Sequence, residues 1–149
     1  MRILPTKAFL MPAIFTSIFL FMSVGSCKKQ AEHDTIPNVA VDIYIDVNST
    51  LYIQLNTVGG WVYLTGGYKG IVVYRMGEYD FVAYDRACPY DPYVPESRLE
   101  MDLGNLTIHD TVCESRFGII DGSVIEGPAQ YPMKQYRTEY DGNILHIYN

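Results

Sequence analysis

The fold is decided by the segment RFGIIDGSVIEGPA, residues 116–129. Its centre, Asp121-Gly122, is a turn sequence, because Asp and Gly both tolerate the backbone angles of tight turns. A β-like run at residues 123–125 follows the turn, and the segment ends in Gly127-Pro128-Ala129. An earlier segment, FVAYDRACPY at residues 81–90, likewise joins a β-like run to a loop that contains a cysteine. Both segments go beyond what a generic β-domain shows.

The hydrophobic pattern outside these segments also has the period of a β-strand. From Val39 to Val47, apolar residues alternate with polar or small ones, which is typical of a half-buried strand. No segment shows a convincing helical period. Further β-like runs lie at residues 51–55, 61–64, 71–75, 81–85, 106–109, 123–125, 133–140 and 144–148. The sequence therefore predicts an all-β fold, an antiparallel sandwich or small barrel.

The N-terminus has the pattern of an export signal. Two cations near the start precede an apolar stretch at residues 8–24, which ends in two small residues. The sequence VGSC at this point resembles the lipobox of bacterial lipoproteins, in which the cysteine becomes the lipid-bearing first residue. We therefore expect residues 1–26 to be a signal peptide and Cys27 to carry the lipid. An uncleaved membrane helix is the alternative, although Pro12 interrupts the stretch and a span needs roughly 20 residues.

The remainder of the chain predicts one tethered domain outside the cytoplasm. Residues 27–38 are polar and contain Pro37, so we expect a lipidated tether, with a single β-domain at residues 39–149. The outer membrane is favoured over the inner one, because Lys28 rather than an aspartate follows the lipidated cysteine. The chain has 11 basic and 17 acidic residues and a net charge of −6, so nucleic acid is not an expected partner.

The two segments quoted first resemble the cluster-binding loops of Rieske 2Fe-2S domains. Residues 81–90 match the first loop, and residues 116–129 match the region that leads from the second loop to the proline loop, Gly127-Pro128-Ala129. The resemblance covers about residues 70–149. It implies a Rieske-like antiparallel β-sandwich or small barrel with two loop-bearing hairpins at one end.

At the positions of the family's cluster ligands, this sequence has other residue types. Rieske domains bind the cluster through Cys-x-His in the first loop and Cys-x-x-His in the second. Here Cys88 occupies the first cysteine position and Tyr90 the first histidine position. The family's spacing places Asp110 and Cys113 at the second pair of positions, while an alternative register places Cys113 and Arg116 there. We expect no metal and no cofactor, with a 2Fe-2S cluster on Cys88, Cys113, Asp110 and Tyr90 as the alternative.

The resemblance would bring Cys88 and Cys113 side by side in an oxidising compartment, where a disulfide is the expected state. The bond would close a loop of about 25 residues and contribute on the order of 3 kcal/mol to stability. Two buried free cysteines are the alternative. A redox-active pair is a further alternative, although the chain has no Cys-x-x-Cys spacing.

Three other features have ordinary structural interpretations. The motif His109-Asp110-x-x-Cys113 offers metal-capable side chains, but His109 continues a β-like run and is expected to be structural. His146 lies in the last predicted strand and is interpreted in the same way. Asp85 and Arg86, just before the first cysteine, predict either a buried ion pair that supports the loop or a solvated surface pair.

These features favour a binding or structural module of the cell envelope rather than an enzyme. The sequence contains none of the nucleophile, phosphate-binding or dinucleotide motifs that would indicate catalysis. We expect an aromatic surface that binds an unidentified envelope protein, formed by Tyr90, Tyr93, Tyr131 and Tyr136. The alternative is that these tyrosines fill the space that a cluster would occupy. The alternative functions are an electron-transfer protein with an atypically ligated iron–sulfur cluster and a redox-active dithiol protein.

Overall fold

The computed structural model describes residues 36–149, which form two antiparallel β-sheets. The strands are β1 (Asp42–Asp46), β2 (Trp61–Leu64), β3 (Ile71–Arg75), β4 (Phe81–Asp85), β5 (Leu99–Met101), β6 (Thr107–Asp110), β7 (Arg116–Gly118), β8 (Val124–Glu126), β9 (Gln135–Tyr140) and β10 (Ile144–Tyr148). One sheet has the order β1-β10-β9-β4-β3-β2, and the other has the order β5-β6-β7-β8. All strand pairs are antiparallel. The predicted all-β class is confirmed.

The strand prediction is wrong at residues 51–55, where the structure has a 3₁₀ segment, Thr50–Asn56. Ser49 starts the segment, because its side chain accepts a hydrogen bond from the backbone N–H of Leu51. Leu55 is fully buried and Tyr52 packs against the same core cluster. The segment is kinked at Tyr52, and in this conformation Leu55 is buried fully and Tyr52 partly. Tertiary packing therefore overrides the β-propensity of the run.

The hairpin β3–β4 is the centre of the fold, because it is buried on both faces. Ile71, Val73, Phe81 and Ala83 point into a core cluster enclosed by the six-stranded sheet. The alternate residues of the same strands belong to a second cluster, which also contains buried residues of the four-stranded sheet. Those alternate residues are Val72, Tyr74, Val82 and Tyr84. The continuous apolar sequence of the two strands follows from this position between two cores.

Asp85, the last residue of β4, organises the start of the first cysteine loop. Its carboxylate is fully buried and accepts hydrogen bonds from the backbone N–H groups of Tyr68, Lys69 and Ala87 at 2.6, 3.2 and 2.9 Å. The hydroxyl of Tyr136 on β9 donates a fourth bond at 2.7 Å. One side chain thus joins the β2–β3 turn, the loop after β4 and a neighbouring strand.

The turn beside Asp85 requires glycine. Gly67 has a positive φ of 61°, and a Cβ there would lie 2.6 Å from both Asp85 Oδ2 and the Tyr136 hydroxyl oxygen. Asp85 and Arg86 are not partners of each other, so both interpretations of this pair as an ion pair are wrong. The Arg86 guanidinium instead lies over the ring of Tyr63, 3.5 Å from its centroid.

The described chain begins at Ile36, whose side chain is buried. Lys134 donates a hydrogen bond to the carbonyl oxygen of Pro37 at 3.0 Å, so the last residues of the predicted tether lie against the domain. The predicted signal peptide, Cys27 and the rest of the tether lie outside the described residues. Within residues 36–149, no helical segment has the length and apolarity that crossing a membrane requires.

The four hydrogen bonds to Asp85 predict a large effect of neutralising this residue. Asp85→Asn replaces one acceptor oxygen by an NH2 group and leaves buried donors without a partner. We therefore expect the free energy of unfolding in urea to fall by about 3 kcal/mol. Asp80→Asn, at an exposed turn, is the matched control and should change it by less than about 0.5 kcal/mol. Equal effects of the two substitutions would contradict this assignment.

Candidate functional site

The candidate site is the pair Cys88 and Cys113, whose sulfur atoms lie 3.3 Å apart although the residues are 25 positions apart in the chain. Cys88 follows β4 and is fully buried. Cys113 lies in the loop between β6 and β7 and is partly exposed. The structure therefore brings the two predicted cysteines together at the meeting point of two loops.

The two cysteines are free thiols in this structure. Their separation of 3.3 Å exceeds the sulfur–sulfur bond length of about 2.05 Å, so the predicted disulfide is not present. Cys113 Sγ also lies 3.1 Å from the hydroxyl oxygen of Ser115, to which it can donate a hydrogen bond. The same Ser115 oxygen accepts a bond from the backbone N–H of Ala129 at 2.9 Å, which attaches the predicted proline loop to the second cysteine loop.

Asp110 shapes the second cysteine loop. Its carboxylate is fully buried, and Oδ1 accepts hydrogen bonds from the backbone N–H groups of Val112 and Cys113 at 2.7 and 3.0 Å. Its other oxygen, Oδ2, accepts a bond of 2.5 Å from the hydroxyl of Ser97, which is also fully buried. Both oxygens are therefore already engaged in holding the two loops together.

Lys69 adds a positive charge beside the segment between β4 and β5. Its ammonium group donates hydrogen bonds to the carbonyl oxygens of Val94 and Ser97, the latter at 2.6 Å. Burial lowers the pKa of Lys69, while the charge of Asp110 opposes this shift. Sequence reasoning did not identify Lys69, Ser97 or Ser115, because their roles depend on contacts between segments distant in the chain.

The environment of Cys88 favours the protonated thiol. Burial, the largest cause, raises the pKa of Cys88 to about 12, and the neighbouring Cys113 acts in the same direction. The backbone N–H groups of Tyr90 and Asp91 donate towards the Cys88 sulfur and oppose the shift. Activated cysteines have a lowered pKa, so Cys88 is not an activated nucleophile at neutral pH.

The other residues predicted for the site do not join the group formed by Cys88, Asp110 and Cys113. The side chain of Tyr90 is 53% exposed, whereas Cys88, Asp110 and Cys113 offer ligand atoms within 4.8 Å of one another. His109, next to Asp110 on β6, does not join this group; its buried Nδ1 lies 2.7 Å from an Asp102 oxygen but without the geometry of a hydrogen bond. His146 pairs with Asp42 at 2.7 Å at a different sheet edge, in keeping with a structural interpretation.

The predicted aromatic surface is wrong at one of its four positions. Tyr136 is only 2% exposed and binds Asp85, because its ring belongs to the core enclosed by the six-stranded sheet. Tyr90, Tyr93 and Tyr131 are exposed. Tyr93 makes an edge-to-face contact with Tyr68, with ring centroids 6.2 Å apart. The exposed aromatic residues near the site therefore lie mainly on the first cysteine loop.

The residues present do not match the donor set of a Rieske centre, which needs two thiolates and two imidazoles. Among residues 36–149, the group of clustered metal-capable side chains contains two cysteines and one aspartate, and neither described histidine belongs to it. The aspartate already accepts three hydrogen bonds. A cluster at this place would need this loop structure to rearrange.

No protein-family model matches the chain, and no curated protein matches it. The chain is similar to a solved structure from the complex of reduced oxygenase and oxidized ferredoxin in carbazole 1,9a-dioxygenase, with 19% identity, a TM-score of 0.47, and coverage of 70% of this chain and 93% of that one. It is also similar to the ferredoxin of carbazole 1,9a-dioxygenase from Nocardioides aromaticivorans IC177, with 18% identity, a TM-score of 0.47, and coverage of 74% and 97%. These values assign neither a family nor a function.

The pKa of Cys88 predicts how the reduced protein reacts with iodoacetamide. Because the thiolate is the reactive form, the labelling rate of Cys88 should rise about tenfold per pH unit between pH 7 and pH 10. Cys113 is the internal control, and its partly exposed side chain should be labelled faster at pH 7. Peptide mass spectrometry measures both rates, and equal rates at pH 7 would contradict the described environment of Cys88.

Proposed function

We propose that the protein is an exported, lipid-anchored binding module of the cell envelope whose Rieske-like domain has lost its 2Fe-2S cluster. The observation that carries the proposal is the pair of adjacent thiols, Cys88 and Cys113, beside an aspartate whose oxygens are already hydrogen-bonded. Such a site is a structural junction between two loops. It lacks the imidazole ligands through which a Rieske centre is held.

In an oxidising compartment, the two thiols would be replaced by a disulfide. Exchange with a disulfide of the envelope would join the two sulfur atoms, with loss of two protons and two electrons from the pair and reduction of the donor disulfide to two thiols. The sulfur atoms need to approach by about 1.2 Å for the bond to form. The bond would fix the two loops covalently, in place of the cluster that links them in Rieske domains.

The buried position of Cys88 supports a structural role over catalytic thiol exchange. Its pKa of about 12 makes the reduced form a poor nucleophile at neutral pH, and burial restricts access by a protein substrate. We therefore place the protein outside the enzymes and rank a redox-active dithiol last among the three functions.

The exposed tyrosines support a binding role for the surface of the first cysteine loop. Tyr90 is 53% and Tyr93 is 68% exposed, and both lie between β4 and β5. A tyrosine offers a rigid apolar ring and a polar tip, and such residues are enriched in protein interfaces. The partner we propose is therefore a protein of the same envelope.

An electron-transfer protein with an atypical cluster is the second candidate. Cys88, Asp110 and Cys113 have ligand atoms within 4.8 Å of one another, and this proximity favours a bound metal. The proposal requires the Asp110 carboxylate to exchange its three hydrogen bonds for a metal ion. It predicts stoichiometric iron and acid-labile sulfide, which the binding module lacks.

The first test is the analysis of protein exported by its own signal and purified without reductant. We expect iron and sulfide far below one atom per chain, no visible absorption, and a Cys88–Cys113 cross-linked peptide in non-reducing mass spectrometry. Reduction should lower the free energy of unfolding by about 3 kcal/mol, because the bond closes a loop of about 25 residues.

Cys113→Ser is the matched variant for this test. It should abolish the cross-linked peptide and should make the stability independent of reductant. Near-stoichiometric iron and sulfide in protein made anaerobically with cluster-assembly machinery would overturn the proposal in favour of electron transfer. If the purified protein holds no metal and both thiols are free, no disulfide takes the place of the cluster, and that part of the proposal is wrong.

The lipid anchor has a separate test at Cys27. We expect the wild-type protein to incorporate radiolabelled palmitate and to fractionate with membranes, because the lipobox cysteine is the acylation site. Cys27→Ser should lose both properties, whereas Cys113→Ser should keep them. Palmitate incorporation that survives Cys27→Ser would exclude Cys27 as the anchor.

A further inference from the structure

A basic groove lies beside the β2–β3 turn, and one of its lining residues, Tyr68, contacts the exposed Tyr93 of the first cysteine loop. It has a volume of about 520 Å³, and the turn at residues 64–70 forms one wall. Lys69, Arg86 and Arg98 supply three positive charges to its lining, which contains no acidic residue. This concentration of positive charge is unusual for a chain whose net charge is −6.

Arg86 is the central residue of the groove. Its side chain is only 8% exposed, yet no carboxylate of residues 36–149 pairs with it. Its Nε donates a hydrogen bond of 2.9 Å to the carbonyl oxygen of Leu99, and its guanidinium lies over the Tyr63 ring. Neither Nη nitrogen has an acceptor among the described residues. Neither Nη nitrogen is a fully buried atom, so both are open to the groove and can donate to a ligand there.

The surroundings hold Arg86 in position. Its backbone N–H donates to the carbonyl oxygen of Gly70 at 2.9 Å, and its carbonyl oxygen accepts from the N–H of Leu99 at 2.7 Å. The Tyr63 hydroxyl accepts a hydrogen bond from the backbone N–H of Met101, which fixes the ring below the guanidinium. The free Nη groups are therefore preorganised, and a ligand would not need to order them.

The groove wall leaves space for a ligand next to these Nη groups. Gly70 has a φ of 97°, and a Cβ there would lie 4.0 Å from Arg86 Nη1. The backbone N–H groups of Tyr68 and Lys69 bind the buried Asp85, which makes the turn rigid. Gly70 therefore adds no side chain to the groove beside the guanidinium.

We propose that the groove binds a doubly charged phosphate group, either inorganic phosphate or a phosphate monoester, between Arg86 and Arg98. The planar guanidinium of Arg86 would hold two oxygens through its Nη groups, and the exposed Arg98 would close over the ligand. Two arginine charges match a phosphate dianion better than a carboxylate, which carries one charge. Lys69 binds the carbonyl groups of Val94 and Ser97, so it contributes its charge but no direct contact.

The electrostatics of Arg86 support this assignment. Burial lowers the pKa of Arg86, and Arg98 acts in the same direction, while Tyr63 and the charge of Glu100 oppose it. Glu100 does not lie within ion-pair distance of Arg86. A bound dianion would offset both the burial and the repulsion between the two arginines.

The test is a titration of the purified protein with inorganic phosphate at constant ionic strength in chloride buffer, followed by amide chemical shifts in NMR. We expect saturable shifts at Gly66, Gly67 and Gly70 with a dissociation constant in the millimolar range or below. Acetate should bind at least fivefold more weakly. Absence of saturation, shifts located elsewhere, or acetate binding as tight as phosphate would overturn the proposal.

Arg98→Gln is the main variant, because Arg98 is exposed and its replacement should leave the fold intact. It should weaken phosphate binding at least fivefold. Arg86→Lys keeps the charge but removes the forked donors and should also weaken binding at least fivefold. Arg137→Gln, an exposed arginine on β9 outside the groove, is the matched control and should bind like the wild type. An unchanged dissociation constant in Arg98→Gln would refute the site.

Discussion

The arrangement of the cysteine loops depends on the buried carboxylate of Asp85. An unpaired carboxylate is costly to bury, so its place in the fold requires the four donors that surround it. Those donors come from the β2–β3 turn, the first cysteine loop and β9. A single hydrogen-bonded group therefore sets the relative positions of three segments that are far apart in the chain.

A continuous series of polar contacts leads from Asp85 to the second cysteine. The backbone of Lys69 binds Asp85, and its ammonium group binds the carbonyl oxygen of Ser97. The Ser97 hydroxyl binds Asp110, whose other oxygen accepts the backbone N–H of Cys113. The two sulfur atoms are thus brought to 3.3 Å by hydrogen bonds around them and do not depend on a bond between them. This geometry lets the reduced pair exist as a packed junction.

The sequence predicted the strands whose pattern is set locally. The hairpin β3–β4 was predicted with its observed bounds, because a strand buried on both faces has a continuous apolar sequence that turn residues interrupt. The strands β5 and β7 were missed, whereas β8, which is equally short, was predicted within one residue because it follows the turn sequence Asp121-Gly122. The 3₁₀ segment was missed because Leu55 and Tyr52 obtain their burial from tertiary contacts. Local patterns cannot report such contacts.

The site shows the same division between local and tertiary information. Cys88 and Cys113 were identified from a family spacing, whereas the function of Asp110 became visible only with its three donors in place. Arg86 was expected to interact with its neighbour in sequence, yet Asp85 ends β4 and Arg86 begins the loop after it, and the two side chains contact different segments. Asp85 therefore faces the turn and β9, and Arg86 faces Tyr63 and Leu99. The Asp85 carboxylate is therefore bound by three backbone N–H groups and the Tyr136 hydroxyl, whereas the Nη groups of Arg86 have no acceptor among residues 36–149.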